Sequence, residues 1–431
     1  MPFLVAAVLA LAAHPPAPPK PLFRDFMGVC GHTVQFRPDL YKPAVRKVRD
    51  YHPIDWDFGN DTSFPPPFPL ARNRVDWSKV YGSWRAAGFG TDACLMFDNL
   101  PAKNWKNLPR DAHVYGKAFA AAFGPSATRP LVESAEVGNE PGKYDDATYR
   151  TLFENMARGL RAGDPKLKIA TCATDPGPSG EYHKSLTCVK GLEPLYDIIT
   201  VHTYAEAEGW PTWRRSFPED PTISYLKRPR EVAAWRDRHA PGKELWVTEF
   251  GWDASTKPAP KAGTFARWVG STEAEQARYL VRSFLVFSAL PVDRAYIFFF
   301  DDKDEPQVHG SSGLTRNSVP KPAFHAVAHL SKTLGDYRFA RTVTETPGEL
   351  YVYEYAHGTD PAKRVWAAWS PTGAGRTAEV TLKLSPKTVT RAERMPLAAG
   401  AVSPVAWQGI GSDGLRLTVT EDPTFLWLTR P

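Results

Sequence analysis

Between about residues 24 and 333 the chain repeats one pattern, a short apolar run followed by a longer amphipathic stretch. The runs are FMGVC (26–30), PIDWDF (53–58), TDACLMF (91–97), SAEVGNE (134–140), KIATCAT (168–174), IITVHTY (198–204), ELWVTEF (244–250) and AYIFFF (295–300). Helices are expected between them at Lys42–Arg49, Trp77–Ala87, Ala112–Phe123, Asp146–Arg161, Arg228–Arg238 and Thr272–Ala289. Tyr149, Leu152, Met156 and Leu160 share one helical face, and Thr272 with Glu275 has the form of a capping box. Eight strand-like runs alternating with helices predict an α/β fold, a closed (β/α)8 TIM barrel. A doubly wound open sheet is the alternative, but no Gly-rich phosphate loop follows the first run.

From Lys332 onward the pattern changes. ELYVYEYA, RVWAAWS, AEVTLKL, GLRLTVT and TFLWLT are β-rich runs separated by Gly, Pro and Asp turns, the mark of an antiparallel β-sandwich. The expected division is residues 1–22 as signal peptide and Pro-rich linker, 23–334 as barrel and 335–431 as sandwich. The leader expectation rests on MPFLVAAVLALAA at the N-terminus, an apolar run ending in small residues, followed by HPPAPPKP. It implies a secreted or periplasmic protein. The run is too short to span a bilayer, and no later stretch reaches the length a membrane helix needs.

Composition removes other classes. With 42% apolar and 23% charged residues the 431-residue chain is of ordinary globular type. A net charge of +6 is spread thinly, and the densest basic cluster, around Lys227, Arg228 and Arg230, is too short for a nucleic-acid surface. Four cysteines form no CxxC pair, which argues against a zinc site. Cys172 and Cys188 bracket a Pro/Gly-rich loop that a disulfide would close in an exported protein; Cys30 and Cys94 sit in apolar segments as buried thiols.

In barrels of this kind reactive side chains project from the C-terminal ends of the strands. Those ends carry Asn139 and Glu140, His202 and Tyr204, Glu249, and Phe300 with Asp301. Glu140 in VGNEPG and Glu249 in VTEFGW each sit between an apolar strand and a turn, which places a carboxylate in a partly dry cleft. Glycoside hydrolysis needs such a pair, one to protonate the leaving oxygen and one to attack the anomeric carbon or activate water. A neighbouring negative nucleophile raises the acid's pKa, so environment separates the two roles. Asn139 suits a sugar hydroxyl beside the reacting carbon; Tyr204 and Arg49 suit orientation and charge balance of the nucleophile.

These segments resemble glycoside hydrolase clan A, the retaining barrel enzymes with paired glutamates, and look closest to families 39 and 5. VGNEP, HTY and VTEFGWD carry the likeness, with VRDYHPIDWDF similar to the clan's second-strand Arg segment and GLTRNSVPKPAFHAVAHL to its eighth βα unit. The resemblance covers about residues 24–333. It implies Glu140 as general acid/base, Glu249 as nucleophile, Asn139 as partner of the 2-hydroxyl, and His202, Tyr204 and Arg49 as supports. No metal or organic cofactor is implied. Where many members carry a Trp platform on the eighth strand this chain has FFFDDKD, so Phe300 or Trp252 is expected to take that place.

Further candidates are His32, Asp98 and Asn99 at the ends of strands one and three, and Trp210 and Trp213 in the loop after strand six, where flat rings suit sugar C–H faces. Asp301, Asp302 and Asp304 are expected in a solvated loop, with calcium binding the alternative. The activity expected is retaining β-glycoside hydrolysis of an oligo- or polysaccharide, with neither a nucleic-acid nor a membrane partner. A catalytically silent carbohydrate-binding protein on the same scaffold and a transglycosylase are the alternatives.

Overall fold

The computed structural model describes residues 19–32, 37–59 and 61–429. The apolar run expected as a leader and most of the Pro-rich linker lie outside the described residues. Eight parallel strands close into a barrel: β1 Met27–Gly31, β2 Lys47–Pro53, β3 Gly90–Met96, β4 Ser134–Val137, β5 Lys168–Asp175, β6 Ile198–His202, β7 Glu244–Phe250 and β8 Arg294–Ile297. Each pairs with the next, and β8 pairs with β1 to complete the ring. Around it stand α1 Trp77–Ala86, α2 Leu108–Phe123, α3 Asp146–Gly163, α4 Lys227–His239, α5 Glu273–Ala289 and α6 Pro322–Leu334. Tyr149, Leu152, Met156 and Leu160 of α3 are buried as their spacing requires, and Thr272 and Glu275 form the capping box of α5.

One strand differs from expectation. PIDWDF is not the second strand: Ile54–Phe58 is a short helix, and β2, Lys47–Pro53, takes the last three residues of the stretch expected to be helical and the four that follow. The reason is in the side chains. Val48, Asp50 and His52 point out of the barrel, where Trp84 Nε1 donates to Asp50 and Tyr81 and Asp57 bond the His52 ring. Asp57 also accepts from Trp77 Nε1 and Tyr115 Oη, which fixes the short helix against α1 and α2. Arg49 and Tyr51, on the alternate face, point inward. A strand this polar is stable only because each buried charge has a partner.

Behind the barrel, β9 Tyr337–Thr346, β10 Leu350–His357, β11 Lys363–Trp369, β12 Ala378–Lys383, β13 Val389–Arg394, β14 Ser403–Pro404, β15 Trp407–Ile410, β16 Gly414–Val419 and β17 Thr424–Thr429 form an antiparallel sandwich. One sheet runs β9-β10-β11-β17-β13-β14, the other β12-β16-β15. Period-two alternation explains why the larger sheet is apolar on both faces. Val352, Trp366, Ala368 and Leu426 face the smaller sheet, whereas Tyr351, Tyr353, Tyr355 and Trp369 join the barrel's own core. The interface is also pinned electrostatically. Arg282 of α5 pairs with Glu219, Trp369 Nε1 donates to the same carboxylate at 2.7 Å, and Arg278 reaches Glu421 and Asp422.

All four cysteines are free and buried, which corrects the expected Cys172–Cys188 disulfide. Cys172 lies on β5 with its thiol on the Ala173 carbonyl, and Cys188 meets the Ser179 hydroxyl instead. The acidic run is likewise not a solvated loop. Asp301, Asp302 and Asp304 are buried; Lys321 and Arg316 neutralise Asp302, and Arg316 also reaches Asp304. No helix among the described residues is long and apolar enough to cross a membrane.

Candidate active site

Three backbone features place the central side chains. Alternation along β2 turns Arg49 and Tyr51 inward together. Gly138, at a φ of 95°, ends β4 in a conformation that favours glycine, and a Cβ there would stand 2.9 Å from Phe97; the turn it makes carries Asn139 and Glu140 over the barrel mouth. On β7 the pairing passes from Val247 to Phe250 while β8 advances only from Ala295 to Ile297, and β6 advances by one residue while β7 advances by two. This is a β-bulge. Without it Glu249 would point outward with Val247. With it, Thr248 and Glu249 both face inward and Phe250 returns to the helices.

Glu249 is 5% exposed and gripped from three sides. Oε1 accepts from Arg49 Nη1 at 2.9 Å and from Tyr51 Oη at 2.6 Å; Oε2 accepts from Tyr204 Oη at 2.8 Å, with His202 Nδ1 3.6 Å away. Burial alone would raise its pKa. The positive charges of His202 and Arg49 and the two phenol hydrogen bonds outweigh burial and hold the carboxyl well below the usual glutamate range. Arg49 is itself fully buried: Nη2 donates to Asn139 Oδ1 at 2.8 Å, and Nε to Glu136 Oε2 at 2.5 Å. Thr200 Oγ1 supports Glu136 from β6.

Glu140 sits differently. Its Oε1 is 2.9 Å from His202 Nδ1, and its side chain is one-quarter exposed to a cavity of about 770 Å3. Burial would lower the His202 imidazole, but the charge of Glu249 and the hydrogen bond and charge of Glu140 raise it. An oxygen of Glu140, a ring nitrogen of His202 and an oxygen of Glu249 lie within 4.8 Å of one another. Three ligands so spaced are also what a divalent ion bridges, although here the Glu249 oxygens are already engaged by a guanidinium and two phenols. Two carboxylates in unlike environments, one held ionised and one facing open space, can divide acid and nucleophile work.

The structure thus brings together Arg49, Asn139, Glu140, His202, Tyr204 and Glu249. Asp98 and Asn99 line the same cavity. His32 is half-buried after β1, at the same end of the barrel. Trp210 stands 75% exposed at the tip of the hairpin closed by Glu206 and Arg215, outside the cluster around the glutamates, and Trp213 packs on Phe265. The two platform expectations are corrected. Trp252 is fully buried against Tyr225 and Tyr279 with Nε1 on the Ser216 carbonyl, and Phe300 is 1% exposed, edge-on to Tyr41; neither offers a face to a sugar. The half-buried ring of Phe298 touches His309, which packs on Tyr204. Sequence reasoning missed Tyr51, Glu136, Phe298, His309 and Arg215, the last placed over the Tyr204 ring at 4.5 Å. Tyr51 follows Arg49 by one strand period, a signal hidden by the misplaced strand.

A closed parallel barrel with glutamates at the mouths of its fourth and seventh strands, backed by a β-sandwich, is an architecture with solved counterparts. The fold is shared with glycoside hydrolases of families 39, 30 and 51, all of clan A. A family 39 glycoside hydrolase from Bacteroides cellulosilyticus WH2 is similar over 94% of this chain and 80% of its own, at 18% identity and a TM-score of 0.68. A glucosidase from Croceicoccus marinus (14% identity, 96% and 98% covered, TM-score 0.64) and a family 30 xylanase from Clostridium acetobutylicum (14%, 94% and 96%, 0.58) are also similar. No protein-family model and no curated protein sequence matches the chain.

Proposed function

We propose that this protein is a retaining β-glycoside hydrolase that cleaves an oligo- or polysaccharide by double displacement. The observation that carries the reading is the approach of Glu140 and Glu249 oxygens to within 4.8 Å. Retaining enzymes hold their carboxyls about 5–5.5 Å apart, while inverting ones need about 6.5–9.5 Å to admit a water. In the first step the Glu140 carboxyl gives its proton to the glycosidic oxygen as Glu249 attacks the anomeric carbon. The bond to the leaving group breaks and a glycosyl ester forms. Glu140, now a carboxylate, then takes a proton from water, whose oxygen displaces Glu249 and restores both groups. Arg49 and the two phenols keep Glu249 ionised, Asn139 has its Oδ1 tied to Arg49 and its amide NH2 left for the 2-hydroxyl, and Phe298, beside His309 and Tyr204, serves as the aromatic platform.

Aryl β-glycosides test this. Glu249→Gln is expected to abolish turnover, and a 2-deoxy-2-fluoro glycoside should leave a sugar adduct on the peptide containing Glu249. Glu140→Gln should lose activity on poor leaving groups and keep part of it on nitrophenolates. NMR of the first product should show the β-anomer. Wild-type rates in both variants, or an inverted first product, would refute the assignment. Glycan binding without any product would favour the silent binding protein.

A further inference from the structure

Two arginines follow each other in the hairpin after β6, and alternation sends them to opposite sides. Arg214 is half exposed and pairs with Glu208 on the surface. Arg215, bridged to Glu206 across the hairpin, turns inward, where its side chain is 5% exposed. Its guanidinium lies over the Tyr204 ring, 4.5 Å from the centroid. Nη1 is 3.0 Å from Asp253 Oδ2 and donates to the Gly251 carbonyl at 2.8 Å, which fixes the fork over that ring. Such a side chain is too deeply buried to hold a sugar. What it can reach is the phenol that bonds the nucleophile.

The two Glu249 oxygens are not alike. Oε1 accepts from both Arg49 and Tyr51, whereas Oε2 accepts a hydrogen bond only from Tyr204 among the described residues. Oε2 is therefore the oxygen with a lone pair free for the anomeric carbon. It must loosen from Tyr204 to attack, and it returns to Tyr204 when it departs. Burial and the charge of Glu249 raise the Tyr204 phenol, and the charge of Arg215 draws it down. A phenol under a positive charge is the stronger hydrogen-bond donor to a carboxylate.

We propose that Arg215 is a positioning residue of the second step: acting through the Tyr204 ring, it strengthens the O–H bond to Glu249 Oε2 and makes Glu249 a better leaving group when the glycosyl ester is hydrolysed. The inference rests on the double displacement assigned above. In that step water attacks the anomeric carbon and gives its proton to Glu140. The bond from that carbon to Oε2 breaks, and its electron pair stays on Glu249, where Tyr204 receives it. The first step draws no such help, because there Oε2 has to leave the same donor. Arg215 thus favours one half of the reaction over the other, which a merely structural arginine would not do.

The test measures the two steps separately in two variants. Arg215→Met with Asp253→Asn removes both buried charges together, and Arg215→Lys keeps a cation. With 2,4-dinitrophenyl β-glucoside or β-xyloside, whose leaving group departs readily, kcat reports hydrolysis of the ester and kcat/KM its formation. In the Met/Asn variant kcat should fall at least about fivefold while kcat/KM stays within about twofold of wild type. Rapid mixing should then release a burst of about one dinitrophenolate per enzyme. Arg215→Lys should recover most of kcat. On a Tyr204→Phe background, where the ring stays and the hydroxyl goes, the Met/Asn pair should change kcat by less than about twofold. Equal falls in kcat and kcat/KM, no recovery with Lys, or an undiminished effect beside Tyr204→Phe would overturn the proposal and leave the reaction standing. A wild type that turns over neither glycoside, or forms no adduct with their 2-deoxy-2-fluoro analogues, ends both.

Discussion

Replacing Tyr51 by Phe removes a single oxygen, the one that donates to Glu249 Oε1 at 2.6 Å, and leaves Arg49 on the same atom and Tyr204 on the other. A hydrogen bond to a charged partner is worth about 1.5–3 kcal/mol. At 1.36 kcal/mol per pKa unit, losing it should lift the Glu249 pKa by about one to two units. Glu249 now lies below the usual glutamate range, so the acid limb of kcat/KM should move upward in the variant, toward about 4.3, the value of a free glutamate. The same bond acts on stability, with a definite sign. A group whose folded pKa is depressed stabilises the fold above its unfolded pKa and loses that contribution as pH falls through the folded value. Tyr51→Phe should therefore be less stable by about 1.5–3 kcal/mol at pH 7 and approach wild type in strong acid. Arg49 and Tyr204 still orient the carboxylate, so activity at neutral pH should survive. The assays are a pH–rate profile on an aryl β-glycoside and urea denaturation at pH 7 and pH 3. An acid limb that stays put, or a stability difference that widens as pH falls, would refute the reasoning.

Two further consequences follow from the described contacts. Glu219→Leu strands the fully buried Arg282 guanidinium and the Trp369 indole N–H between barrel and sandwich, so denaturation should show a loss of about 3–5 kcal/mol, with both parts still unfolding in one transition. Because the cysteines are free, four thiols should titrate in denaturant without prior reduction, and the melting temperature should be the same with and without dithiothreitol; a reductant-sensitive melt would restore the Cys172–Cys188 bridge.

What could be read from the chain and what could not divides along a physical line. Hydrophobic alternation placed seven of the eight barrel strands within a few residues, and Glu140, His202 and Glu249 could be found because each ends an apolar run. It failed at β2, where KVRDYHP carries polar side chains on both faces, while the neighbouring Ile54, Trp56 and Phe58 alternate like a strand and form a short helix. Glu136 was invisible for the same reason: a carboxylate in the middle of a strand reads as an interruption until Arg49 is placed opposite it. The bulge at Thr248 and Glu249 leaves no mark in composition, yet it decides which way Glu249 points. Trp252 and Phe300 follow strand ends without facing the cleft, because the chain leaving each end turns their rings back into the core. Inside a barrel, Arg49, Glu136 and Glu249 are tolerated only as a set, since each alone would be an unpaired buried charge. The same mutual dependence that makes them a site hides them from any reading that takes residues one at a time.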